Sequence, residues 1–196
     1  MPSIARALAS LVFLALIASN APALAKDEQL QIDAQHSSLT VYVSKQGIFA
    51  FAADNHVVNA PLTSGAFDPA TKSIELKIDA AQMRVLDPSM APDRRAQVQA
   101  NMVSSQVLDV QKYPQITFQS TKTQATSPGK LTVTGDLTLH GQTRSVTVDV
   151  DEIDAKHYKG RVTIRQTDFG ITPIRIAAGT VKVKDELRIE FDIELK

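Results

Sequence analysis

From Leu131 to Val150 the chain places apolar and polar residues on alternate positions. Leu131, Val133, Leu137 and Leu139 interleave with Thr132, Thr134, Asp136 and Thr138, and Val146, Val148 and Val150 with Thr147 and Asp149. A period of two gives an extended chain one oily face and one wet face, and it fits no helix. His140-Gly141-Gln142-Thr143 interrupts the alternation and predicts the turn of an antiparallel hairpin. The segment therefore has to sit in a sheet with one buried face.

The same pattern recurs. Gln29–Asp33, Leu39–Val43, Gln115–Thr121 and His157–Arg165 read as strands, and Ile48–Phe51 as an apolar, aromatic one. Ser73–Asp79 alternates cleanly, with Ile74, Leu76 and Ile78 on one side. Thr180–Val183 and Leu187–Leu195 form a last hairpin across Lys184-Asp185-Glu186. The middle of the chain differs. After Pro88 and Pro92 the alternation stops, and Val98 and Met102 share the i,i+4 spacing of a helix face, predicting a short amphipathic helix near 93–104 across one end of the sheet. About eight to ten strands and one helix, with no long linker or repeat, make this an all-β chain of one domain, a sandwich or a barrel.

Residues 1–25 stand apart. Arg6 precedes the apolar run Leu8–Ala18, and Ala23-Leu24-Ala25 has the small-x-small pattern of a cleavage site. This predicts a cleaved secretory signal, whose apolar stretch is shorter than the roughly 20 residues needed to span a bilayer. No later segment reads as a transmembrane helix. Removing Arg6 leaves 20 basic residues against 21 acidic ones, a balance with no electrostatic footprint for nucleic acid. The chain has no cysteine, which excludes thiol catalysis, iron–sulfur clusters and a lipid-bearing cysteine.

Reactive side chains are few. The four histidines, His36, His56, His140 and His157, lack the spacing of a metal motif. His36 and His140 lie beside turn residues, and His56, in an otherwise apolar stretch, is the first to examine. No serine occupies a Gly-x-Ser-x-Gly elbow. Asp149 and Asp151 alternate outward with their strand. Asp168-Phe169-Gly170 spells a kinase magnesium motif without the rest of a kinase, and reads instead as a bend turning an aromatic inward. What remains is apolar surface, which either packs on itself or lines a barrel wide enough for one small ligand.

Five collinear segments resemble the YceI-like family of exported bacterial proteins. They are Ile32–Ser38, Gly65–Ala70, Leu108–Ser120, the Leu131–Val150 hairpin and Asp168–Ile171. The resemblance implies an antiparallel, lipocalin-like β-barrel with a helix at one side, and a long apolar tunnel holding isoprenoid or other amphiphilic lipids. It also implies a periplasmic location and no enzymatic activity. The chain departs from the family pattern at Asp93–Val98, which lacks the helix histidine, and at Ala53-Asp54-Asn55-His56. These stretches border the expected pocket mouth, so the polyisoprenoid is an expectation from the family and not a reading of these residues.

The sequence thus leads to a lipocalin-like barrel of about eight strands over 26–196, binding or carrying an isoprenoid, quinone or other amphiphilic lipid in the periplasm. No cofactor, metal, nucleic acid or integral membrane segment is implied, and a homodimer stays open. The expected lining comprises Phe49, Phe51, Phe67, Phe118, Phe169 and Phe191, with Met83, Leu86 and Met102. Two alternatives remain: a filled barrel that binds a protein partner, and an enzyme using His56 or His140.

Overall fold

The structure, a computed structural model, describes residues 29–47, 55–176 and 181–196. The expected signal at 1–25, Phe49 and Phe51 lie outside the described residues. Among the described residues twelve strands form one antiparallel sheet: β1 Leu30–Gln31, β2 Ser38–Gly47, β3 His56–Asn59, β4 Leu62–Asp68, β5 Ser73–Asp79, β6 Arg84–Val85, β7 Gln115–Ser127, β8 Lys130–Leu139, β9 Gln142–Asp154, β10 His157–Arg165, β11 Arg175–Ile176 and β12 Val181–Glu194. The helix α1 spans Pro92–Val103. Three of the twelve, β1, β6 and β11, are two-residue pieces, too short to show alternation.

Neighbours run in the order β1-β4-β5-β7-β8-β9-β10-β12-β2-β3-β6, with β11 beside β12. The sheet curls into a half-barrel. Its first strand also reaches the end of β12: Ile32 bridges Leu195, the Asp33 amide donates to the Glu194 carbonyl at 2.8 Å, and the Lys196 amide to that of Gln31 at 2.9 Å. This joins β1 to the end of β12 and closes the ring of strands at that end.

The Leu131–Val150 hairpin forms as its alternation requires. Leu131 pairs with Val150 and Val133 with Val148 on the inner face. Outside, the hydroxyls of Thr134 and Thr147 lie 3.3 Å apart, and those of Thr138 and Thr143 lie 2.8 Å apart. The loop is tighter than the sequence suggests, because Leu139 already pairs with Gln142. Only His140 and Gly141 turn the chain, with φ of 50° and 71°, the left-handed pair that a two-residue hairpin demands.

At the other edge, β6 is the last strand and would present bare amides to solvent. Helix α1 covers it. The Gln99 side chain accepts from the Val85 amide at 2.8 Å and donates to the Met83 carbonyl at 2.9 Å. Among the described residues no helix is long and apolar enough to cross a membrane.

Candidate functional site

Two cavities lie along the inner face of the sheet. The wider, about 350 Å³, sits between β2, β3, β12 and helix α1. Val41, Val43, Val58, Met83 and Val85 form its apolar wall, and Val98 and Met102 cover it from the helix. The narrower, about 120 Å³, lies inside the ring, with Leu39, Phe67, Phe118, Val148 and Phe191 among its lining. The two follow one another along β2 and β12. Val43 and Val41 on β2 face the first and Leu39 the second, at successive inward positions; on β12, Val183 and Leu187 face the first, and Ile189, Phe191 and Ile193 the second. From Leu187 to Ile193 on β12 these inward positions span on the order of 20 Å at the rise of a strand.

Glycines make room in the narrow part. Gly135 occupies an inward position of β8, and a Cβ there would stand 2.5 Å from the Phe118 ring and 2.6 Å from the Gln119 carbonyl. Gly160 on β10 pairs with Phe191, whose ring covers it in the same way. With the rings folded down onto bare backbone, the space beside them stays open. Phe118 and Phe191 point inward yet are only half-buried, because they face that space.

The narrow part ends in a polar plug. The inward parity of Val146, Val148 and Val150 carries on to Glu152, which accepts from Lys72 Nζ at 2.6 and 2.8 Å. Tyr158 donates to Glu152 at 3.4 Å and to the Ala155 carbonyl at 3.3 Å. Burial, and then the Glu152 charge, push the Tyr158 phenol up to about 12, so it stays a hydrogen-bond donor at neutral pH. Lys72, Glu152 and Tyr158 are absent from the sequence-based set. The signal was the parity of β9, which already places Glu152 on the oily face.

At the other end, His56 lines the wide cavity, its Nδ1 2.6 Å from Asp87 Oδ2. Asp87 is buried, accepts from the Val57 amide at 2.8 Å, and holds Arg95 through its carbonyl at 3.3 Å. The pair fastens β3 to the start of α1. His140 takes the structural role: its Nδ1 lies 3.2 Å from the Phe169 carbonyl, and its ring stands edge-on to Tyr113 at 4.6 Å. Among the described residues no three His, Cys, Asp or Glu side chains gather closely enough to hold a metal ion.

Of the expected lining, Met83 and Met102 face the wide cavity, and Phe67, Phe118 and Phe191 the narrow one. Two residues lie elsewhere. Leu86 is 47% exposed, on the segment that leads away from the edge strand β6. Phe169 is 1% exposed, packed into solid core by the turn Gln166–Phe169, which Gly170 closes at a φ of 73°. The bend does turn the aromatic inward, against other side chains and not against either cavity.

Comparison with known proteins agrees with this architecture. A UPF0312 protein of Vibrio parahaemolyticus is 32% identical over 115 residues, 54% of this chain and 59% of that protein. The chain thus spans under two thirds of that relative. A UPF0312 protein of Pseudomonas syringae pv. tomato is 25% identical over 175 residues, covering 85% and 87% of the two chains. Burkholderia cenocepacia BcnA superposes with a TM-score of 0.60 at 23% identity, over 83% of this chain and 98% of that one. A polyisoprenoid binding domain from Saccharophagus degradans, implicated in plant cell wall breakdown, superposes with a TM-score of 0.59 at 16% identity, over 85% and 97%. At these identities the superpositions speak for the fold alone. The YceI-like domain matches residues 30–195, nearly everything after the N-terminal stretch, and the chain belongs to that family.

Proposed function

We propose that this protein binds and carries, or sequesters, an apolar chain-like molecule such as an isoprenoid, a quinone or another amphiphilic lipid. The observation that carries the proposal is the run of inward positions on β2 from Val43 to Leu39, and on β12 from Leu187 to Ile193, that lines both cavities in turn. A volume of about 350 Å³ lies within the range of small-molecule sites, and the narrow extension admits only something slender. An apolar cavity of 120 Å³ left empty forfeits about 3 kcal/mol, at about 24 cal/mol per Å³. Keeping it open with glycines at 135 and 160 makes sense if something else fills it. Binding would come from burying the tail, at about 25 cal/mol per Å² of apolar surface.

The polyisoprenoid-binding neighbour supports this ligand class. The N-terminal stretch, with its cleavage-site pattern, supports export and a periplasmic site of action. We read the protein as a holder and not as a catalyst: among the described residues the His–Asp pairs His36–Asp33, His56–Asp87 and His157–Asp192 tie a turn, an edge strand and two neighbouring strands.

The test is to express the protein, extract it with organic solvent and identify what comes out by mass spectrometry, then offer the emptied protein prenyl lipids and quinones. A co-purifying chain-like lipid, or saturable uptake of one, is the expected result. A protein that returns empty and takes up none of them sinks the proposal.

A further inference from the structure

The narrow cavity is closed at one end by an ion pair held across it. Pairing between strands sets Ile193 on β12, Tyr158 on β10 and Glu152 on β9 side by side. Ile193 and Tyr158 face the cavity, and the Tyr158 ring packs on Phe67 with centroids 5.2 Å apart. Lys72 reaches this layer from the turn between β4 and β5. Its aliphatic stem lines the cavity while its ammonium donates to both Glu152 oxygens.

The turn is built to hold Lys72 there. Its φ is 53°, a left-handed backbone that glycine adopts freely and lysine only at a cost. Asp68 fixes the turn, accepting from the Ala70 amide at 2.9 Å and the Thr71 hydroxyl at 2.8 Å, and the Thr123 hydroxyl donates to the Lys72 carbonyl at 2.9 Å. A strained residue persists where its surroundings over-determine it. Here they aim one cation across the end of the lumen at a carboxylate 80 positions away. Stability alone does not explain the choice. A half-buried ion pair gains little, and an apolar residue at 152 would continue the inward series Val146, Val148 and Val150.

Resting on the carrier reading above, we infer that the Lys72–Glu152 pair is the stop that sets how long a tail the lumen accepts, which makes these two residues determinants of chain-length specificity. Hydrocarbon that reaches the pair cannot replace its hydrogen bonds, and parting the ions leaves two charges without partners. Each carbon laid against the apolar wall before the stop adds to binding, and each one beyond it adds nothing.

The experiment reads affinity against tail length. The emptied protein is titrated with all-trans prenols from geraniol through farnesol and geranylgeraniol to solanesol, and the series is repeated on Lys72→Gly/Glu152→Ala. Glycine suits the backbone at 72, and circular dichroism confirms the fold. In the parent, affinity should climb at least about tenfold per isoprene unit and then break to a plateau. In the variant the break should move to a prenol at least one unit longer. Lys72→Gly alone, which leaves Glu152 bonded to Tyr158, should move it the same way and serves if the double variant does not fold. A pair that merely stiffens the barrel would lower affinity by one factor at every length and leave the break in place. That result, or a parent affinity that climbs evenly to solanesol, overturns the inference while the carrier reading stands. If no prenol of any length binds the parent, both fall.

Discussion

Single side chains decide whether the interior is space or matter. Gly135 lies at an inward position of β8, where the alternation would put a leucine or valine, and the Phe118 ring lies over it. Gly135→Val should cost about 1–3 kcal/mol in chemical denaturation, as overpacked sites do, and should push the ring into the lumen. A variant as stable as the parent would mean that the ring has somewhere else to go. Charge matters at the same scale on β12. Burial works against the Asp192 carboxylate, but Lys159 at 2.8 Å and His157 at 2.6 Å outweigh it, and the group titrates below its ordinary 3.8. A lowered folded value means stability that is present above 3.8 and drains away as pH falls through the folded value. Asp192→Asn should therefore shrink the loss of stability below about pH 4, read from denaturation midpoints across pH. An unchanged acid limb would show that this carboxylate is not among the groups that set it.

At the scale of elements, α1 is a surface helix laid on the edge of the sheet. None of its residues is fully buried. It is held by Val98 and Met102 over the cavity and by Gln99, whose amide completes the edge strand β6. Gln99→Leu keeps the bulk but orphans the Val85 amide and the Met83 carbonyl, which should cost about 1–3 kcal/mol. Amide exchange at Val85 should quicken far more than in the β8–β9 hairpin, since local openings draw on local contacts. Equal protection of Val85 in parent and variant would count against this anchoring. The sequence made the helix legible through its i,i+4 pair and the break at Pro92. It could not show that Gln99, one polar residue among several on that helix, completes a strand of two residues.

For the whole molecule the issue is whether the ring is filled. Phe169 is embedded in solid core, and Phe169→Ala should cost about 3–5 kcal/mol. Phe118 and Phe191 face the lumen, and replacing either with alanine should cost about 1–2 kcal/mol while loosening the grip on any bound tail. Thermal or urea denaturation of the three variants side by side checks the contrast. Three equal, large losses would point to a filled barrel that serves a partner protein.

The sequence by itself determined the class of this fold. Period-two alternation on β5, β8, β9, β10 and β12 admits only a sheet with one oily face, and the strand count with its short turns makes that sheet curl. It also narrowed the chemistry, since a chain without cysteine and with four scattered histidines has little to react with. Parity along a strand says which residues share a face, yet it cannot say what stands opposite them. Only the tertiary structure decided that Phe118 lies on Gly135, that Phe169 packs against core, and that Lys72 reaches Glu152 across 80 positions of sequence. Closing a sheet brings together residues whose separation along the chain carries no trace of their distance in space.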